Sequence, residues 1–502
     1  MIPLTLARIA ELVGGRLDGT DAAHGAELVT GAVEFDSRRI GPGDLFVAVP
    51  GERVDGHDFA ARAVAAGAVG VLAARETGVP TVIVPPIEAG ESRALALAGD
   101  RDGSGAAVLT GLAALAHEVV EELRPGGLSV VGVTGSSGKT STKDLIATLL
   151  APLGPTVAPP GSFNNELGHP WTALRADEHT RHLVLELSAR GPGHIAELCR
   201  IAPPRIGVVI NVGSAHLGEF GSREAIAAAK GELVESLPPA ADGGVAVLNA
   251  DDPLVAAMAR RTSARVVLTG ESPLATVRAV DVRLDDAARP AFRLVAPAGE
   301  IDVQLGLHGA HQTGNALLAA AVALELGASL ADVADGLGRA RPVSANRMAV
   351  TTRSDGVTVV NDAYNANPES MRAALKALAT MSRSGRRRSW AVLGPMGELG
   401  PESISAHDDI GRLAVRLDIG KLVVVGEDAR PMHQGACLEG SWGEESVLVP
   451  DVDGAVALLR EQLAPGDVVL VKASNAVGLW RIAEALLADD LSAERANTGG
   501  GR

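Results

Sequence analysis

The stretch Gly132-Val133-Thr134-Gly135-Ser136-Ser137-Gly138-Lys139-Thr140-Ser141 decides how the chain is read. A compact apolar run of strand length, residues 128–133, precedes it, and a helical pattern over 140–150 follows. Strand, glycine loop and helix in that order predict a backbone folded tightly round an anion, with amides and a helix N-terminus aimed at it. In such a loop Lys139 would neutralise the β- and γ-phosphates of a nucleotide, and the Thr140 hydroxyl is suited to Mg2+. Gly135, Ser136, Ser137, Gly138 and Ser141 complete the cradle. The spacing departs from the full phosphate-loop pattern at one place, where Val133 occupies the first glycine position. The bland alternative is a Gly/Ser turn that happens to precede a lysine, and the flanking strand and helix favour the phosphate reading. The loop alone does not separate a kinase or an ATPase from other nucleotide chemistry.

Outward from the loop the same alternation continues. Residues 182–187 and 205–212 read as buried strands and 223–237 as a helix, which predicts a parallel sheet covered on both faces. Residues 275–303 hold several short strand-like pieces and are expected to form an antiparallel insert. Towards the N-terminus, 45–49 and 81–84 read as strands, 60–66 as a helix, and the polar, glycine-rich 99–105 as a linker. Towards the C-terminus, strands are expected at 357–360, 390–393, 422–425 and 467–471, separated by helices at 369–381, 404–417, 454–463 and 479–487. The fold class is therefore α/β in three domains. A small α/β domain spans 1–105, a central parallel-sheet domain carrying the phosphate loop spans 106–341, and a Rossmann-like domain spans 342–490. Residues 491–502 are expected to form a disordered tail.

Composition agrees and excludes several classes. A chain of 502 residues at roughly 100–200 residues per domain makes about three domains. Aromatics are 2%, so the cores must be built from Ala, Val and Leu. The formal net charge of −16 leaves no basic excess to neutralise a nucleic acid. Two distant cysteines, Cys199 and Cys437, give neither a disulfide framework nor metal-ligand spacing. No signal peptide and no stretch long enough to span a bilayer are visible. A monomeric cytoplasmic protein with reduced thiols, free of membrane insertion, is expected.

Beyond the loop, several segments carry a resemblance. They are Gly161-Ser162-Phe163-Asn164-Asn165-Glu166-Leu167-Gly168, Leu185-Glu186-Leu187-Ser188-Ala189-Arg190, Asn211-Val212-Gly213-Ser214-Ala215-His216-Leu217 and Ala229-Lys230-Gly231-Glu232. His311-Gln312-Thr313-Gly314-Asn315-Ala316 and Asn361-Asp362-Ala363-Tyr364-Asn365-Ala366-Asn367-Pro368 follow. In this order, across almost the whole chain, they resemble the Mur ligase family. Ser188 stands where a glycine is usual and Gln312 where an asparagine is common.

The resemblance implies an ATP-dependent, ADP-forming amide ligase of peptidoglycan precursor synthesis, working through an acyl phosphate. Its branch is set by residues 362–371 and by Met396-Gly397-Glu398-Leu399-Gly400, which are similar to the members that add D-alanyl-D-alanine to a UDP-N-acetylmuramoyl-tripeptide. The D-N-P-R-like segment of the diamino-acid-adding members is missing. That sister activity, another amide ligase such as a folylpolyglutamate synthase, a phosphotransferase and a nucleotide-binding switch remain as alternatives.

The resemblance also implies roles for single residues. Asp36-Ser37-Arg38 would help bind the UDP-sugar, with Ser37 and Arg38 as contacts and Asn164 and Asn165 on the substrate path. Glu186, His216 and Lys230 would join Thr140 in holding Mg2+, Lys230 as a carbamate. Asn315 would contact adenine, Arg347 the ATP phosphates, and Asp362 the ribose or adenine. Lys139, His216 and Lys230 are the catalytic candidates. Read without the family, Glu186 is a strand-end surface residue, His216 a structural histidine and Lys230 a solvated lysine on a helix face. ATP held by residues of two domains implies a last domain that closes as a lid.

Overall fold

The computed structural model describes residues 1–19, 22–51, 54–87, 100, 102–213, 217–383, 386–440 and 445–498. Most of the expected linker at 99–105 begins outside these residues or runs into a helix, because Ser104–Leu123 is helical throughout.

The first domain is built on five short strands in the order Arg16–Asp18, Thr81–Ile83, Gly70–Ala73, Leu45–Val47, Val33–Glu34. Only the first pair is antiparallel. The opening helix, Leu6–Leu12, starts where the Thr5 hydroxyl accepts from the Arg8 amide at 3.1 Å, a cap contributing about 1 kcal/mol. The 20-residue helix Ser104–Leu123 then joins this domain to the next. At Gly111 it comes so close to Val84 that a Cβ would lie 2.4 Å from a Val84 methyl. One apolar cluster runs from Leu6, Ile9 and Val84 through Leu112, Leu115 and Val119 to Val130, Leu183 and Leu185. The two domains therefore share a core. Truncating Leu112 to alanine there costs about 2–5 kcal/mol and loosens both.

The central sheet has nine strands. Ser129–Thr134 lies between His182–Glu186 and Ile206–Val209, parallel to both. Its side chains alternate between two cores: Val130 joins the cluster shared with the first domain, and Val131 and Val133 join a second beneath the helices Lys139–Leu150 and Gln312–Glu325. That is the period-2 signature of a strand buried on both faces. Val133 pairs with Glu186 and is fully buried. The position that broke the loop pattern is thus a strand position, where glycine would weaken the ladder. The strands Val277–Leu284, Pro290–Ala296 and Gly299–Gln304 are antiparallel, as expected. They form no separate insert, because Val277 and Arg278 pair in parallel with Thr269 and Gly270, so the meander extends the same sheet.

The last domain is a six-stranded sheet, parallel except for Ala349–Thr352 on its edge. Val468 and Leu470 face one apolar cluster, Val469 and Val471 the other, so helices cover both faces in the Rossmann-like manner. The final helix, Trp480–Thr498, runs through the beginning of the segment expected to be a disordered tail. Residues 499–502 lie outside the described residues.

Candidate active site

In open α/β sheets, ligands bind beyond the carboxyl ends of the strands. Here that edge carries the loop after Thr134, the end of the Glu186 strand and Asn211. Asn211 holds the loop open: its Oδ1 accepts from the amides of Ser136 and Ser137, each at 3.0 Å, and its Nδ2 donates to Ser137 Oγ at 3.1 Å. Ser136 Oγ in turn accepts from the Gly213 amide at 2.9 Å. Gly138 has φ of +81°, and a Cβ there would sit 2.9 Å from Asn315 Oδ1. Glycine is needed at this position both for the backbone conformation and for the approach of Asn315. Lys139 begins the helix, with Nζ donating to the Gly135 carbonyl at 2.8 Å. Burial lowers its pKa, against the opposing pull of Glu186.

Facing this loop is the last domain. A guanidinium nitrogen of Arg347 donates to Thr140 Oγ1 at 3.0 Å and to Ser162 Oγ at 3.4 Å, and the group lies 3.9 Å from the centre of the Tyr364 ring. The Ser344 amide reaches Asp144 Oδ2 at 3.2 Å, Arg190 approaches Glu398 at 3.6 Å, and Gly213 abuts the carboxylate of Glu369. Between the two domains lies a cleft of 740 Å³. Ser136 to Ser141, Asn164, Asn165, Asn315, Arg347 and Asp362 all line it. In this arrangement the two half-sites face each other across the cleft.

Two expected metal ligands lie behind the cleft wall. Glu186 is fully buried. Its Oε2 accepts from Asn164 Nδ2 at 3.2 Å, while Oε1 has no hydrogen-bond partner. Lys230 is also buried, against its reading as a solvated helix-face lysine. Desolvation holds its ammonium well below the ordinary pKa, and Lys139 adds to the effect. His216 lies outside the described residues. A buried carboxylate oxygen lacking a donor, close enough to Lys139 to feel its charge, fits a hard cation.

The expected UDP contacts stand apart from this cleft. Asp36 grips its own neighbour, accepting from Arg38 Nε at 2.8 Å and from a terminal guanidinium nitrogen at 2.7 Å. These bonds push the carboxyl down to about 2. Arg38 is exposed and Ser37 half-buried. Next to them Phe35 lies 5.6 Å edge-on to Trp171 and 6.2 Å from Phe163, which places the segment against the Asn164–Asn165 stretch of the central domain. Sequence reasoning did not single out Ser162, Arg190 or the ion pair of Lys472 with Asp362, formed at 2.6 Å. Ser162, Arg190 and Asp362 stood within quoted motifs, but which side chains face the cleft, and which pair, depends on packing between domains.

A glycine loop at the carboxyl edge of one α/β domain thus faces an arginine offered by another, the arrangement of a two-domain nucleotide site. Residues 133–323 match the Mur ligase middle domain, 346–475 the Mur ligase glutamate ligase domain, and 29–100 the catalytic domain of the Mur ligase family. The chain is 59% identical to the UDP-N-acetylmuramoyl-tripeptide--D-alanyl-D-alanine ligase of Mycobacterium tuberculosis, covering 98% of this chain and 99% of that one. It is 32% identical to the Escherichia coli enzyme of the same name, over 97% and 99%. Among solved structures it is similar to MurF from Acinetobacter baumannii, with a TM-score of 0.80 and 29% identity over 97% and 99% of the two chains. MurF ligase from Thermotoga maritima in complex with ADP gives 0.75 and 30% over 92% and 99%. The chain belongs to the Mur ligase family.

Proposed function

We propose that the chain joins D-alanyl-D-alanine to a UDP-N-acetylmuramoyl-tripeptide, using ATP, in the cytoplasmic synthesis of the peptidoglycan precursor, and that it works as a monomer. The observation that carries this is the near-complete match to relatives of that name in a chain whose phosphate loop meets Arg347 of another domain. Among the described residues no helix is long and apolar enough to cross a membrane.

Amide formation from a carboxylate is uphill in water. The chain's task is to let the tripeptide carboxylate take the γ-phosphoryl group of ATP, releasing ADP, and then to let a neutral amine displace phosphate from the acyl carbon. The 134–141 loop cradles the phosphates with backbone amides, and Lys139 and Arg347 offset their charge from opposite walls. Asn315 and Asp362 flank the nucleotide at the base and ribose end. Thr140, Glu186 and a carbamylated Lys230 would hold Mg2+, joined by His216. When bound, the ion screens the triphosphate from the incoming carboxylate. Lys230 is suited to carbamylation because burial lowers its pKa and so favours the neutral amine, and a neutral amine adds CO2 with loss of one proton. Ser37 and Arg38 would take the UDP end, and Asn164 and Asn165 the path towards the carboxylate.

Release of ADP and phosphate should require the UDP-muramoyl-tripeptide and the dipeptide together. Phosphate release without the amine, at the full rate, would turn the reading to a phosphotransferase or ATPase.

A further inference from the structure

Arg347 sits between two strained residues. Asn346 has φ of +58° and Met348 φ of +49°, the left-handed region that a side chain as large as methionine rarely enters. Such strain persists only where the surroundings enforce it. The enforcing contacts come from Asn361, which ends the strand Thr358–Asn361, and from the loop that follows it. Asn361 Nδ2 donates to Asn346 Oδ1 at 2.9 Å, the Tyr364 amide to the Asn346 carbonyl at 3.2 Å, and the Met348 amide to Asp362 Oδ1 at 3.0 Å.

That loop is itself pinned by one buried cation. Lys472 ends the strand Val468–Lys472 and is 2% exposed. Its Nζ lies 2.6 Å from Asp362 Oδ2, 2.8 Å from the Asn365 carbonyl and 3.4 Å from the Asp362 carbonyl. An ammonium has three donors, and all three point at residues 362–365. A buried ion pair seldom stabilises a fold more than an apolar pair of the same volume. Packing alone therefore does not account for a lysine at the cleft end of a strand otherwise made of Val and Leu.

We propose that Lys472 is a positioning residue for Arg347. It latches Asp362 and Asn365, and through them the strained 346–348 segment and the Tyr364 ring, so that the guanidinium stands ready over Thr140. The proposal rests on the reading of Arg347 as a phosphate-binding residue. Lys472 need not touch the nucleotide, since its donors are spent.

Tyr364 is the single tyrosine of the chain, so fluorotyrosine incorporated into the full-length protein gives one fluorine NMR signal that reports the Arg347 stack. Four proteins are compared: the parent, R347A, K472M and R347A/K472M, each with its melting temperature and its affinity for a non-hydrolysable ATP analogue. Without nucleotide, the K472M signal should move from the parent position towards that of R347A. K472M should weaken the analogue by about tenfold, the worth of a lost charge-assisted hydrogen bond. The double variant should bind no worse than R347A, because two residues acting through one group do not add. An unmoved signal, or losses that multiply, would overturn the latch and make Lys472 a direct ligand or a plain core residue. Should K472M fail to fold, Asp362→Asn takes its place: it keeps the volume and an acceptor for Met348 while removing the charge that Lys472 grips, and there the fluorine signal without nucleotide alone decides, because Asp362 is itself read as a nucleotide contact. If the parent itself fails to bind the analogue, the reading of the cleft fails, whereas the signal without nucleotide still tests the latch.

Discussion

The guanidinium of Arg347 donates to the Thr140 hydroxyl over 3.0 Å although 207 positions and a domain boundary separate the two residues. The phosphate loop and the last domain thus share one polar contact at the place where the terminal phosphate of ATP is expected. Arg347→Ala should lower kcat/KM for ATP by about 10²-fold or more, the scale for losing charge stabilisation in a water-poor site. Its thermal stability should change little, because Thr140 and Ser162 still meet at 3.3 Å. Steady-state kinetics beside a melting curve checks both halves of this expectation.

Lys139→Ala removes the loop's own cation. Turnover should fall on the order of 10²-fold or more with the fold intact, since Nζ spends its one hydrogen bond on the Gly135 carbonyl of the same loop. Near-normal turnover in the variant would remove Lys139 from the mechanism.

Lys230 should carry a carbamate in the active enzyme, visible by NMR after incubation with isotope-labelled bicarbonate. Its pH linkage has a definite sign in bicarbonate-free buffer. Burial holds the folded-state pKa well below the ordinary 10.5. Between those two values the unfolded chain binds more protons than the folded one, so this residue's contribution to stability rises with pH, and its cost is fully present below the lowered value. Lys230→Met should therefore be inactive yet more stable than the parent near neutral pH, with the difference shrinking as pH rises towards 10.5. A variant less stable at every pH would contradict a Lys230 pKa lowered by burial.

Arg38→Ala should raise KM for the UDP-muramoyl-tripeptide while leaving kcat and KM for ATP close to the parent values. Arg38 is exposed on the first domain and outside the nucleotide cleft, so its contribution would fall on binding alone. A drop in kcat with unchanged KM would place it elsewhere in the cycle.

The phosphate loop was legible because its cause is local: a buried strand, two glycines and a helix start lie within ten positions. The third-domain strands were legible for the same reason, as short Val-rich runs between helical patterns. The sheet extension by Val277–Leu284 was half legible. Its alternation showed an antiparallel meander, but the two pairs that join it to Thr269 and Gly270 leave no mark in composition. The bridging role of Ser104–Leu123 was hidden behind a glycine-rich stretch that looked like a domain boundary. Burial of Lys230 and Glu186 could not be read from their own neighbourhoods. Lys472 lies 110 residues from its partner Asp362, and only the parallel pairing of Val468–Lys472 with Thr358–Asn361 brings them together.

The amine joined by this enzyme is a dipeptide. The most direct measurement is competition among D-alanyl-D-alanine, D-alanine, L-lysine and diaminopimelate for a UDP-muramoyl-tripeptide and ATP, with products resolved by mass. D-alanyl-D-alanine should show the highest kcat/KM and give a product carrying both alanines. A higher kcat/KM for a free diamino acid would contradict it and leave only membership of the Mur ligase family standing.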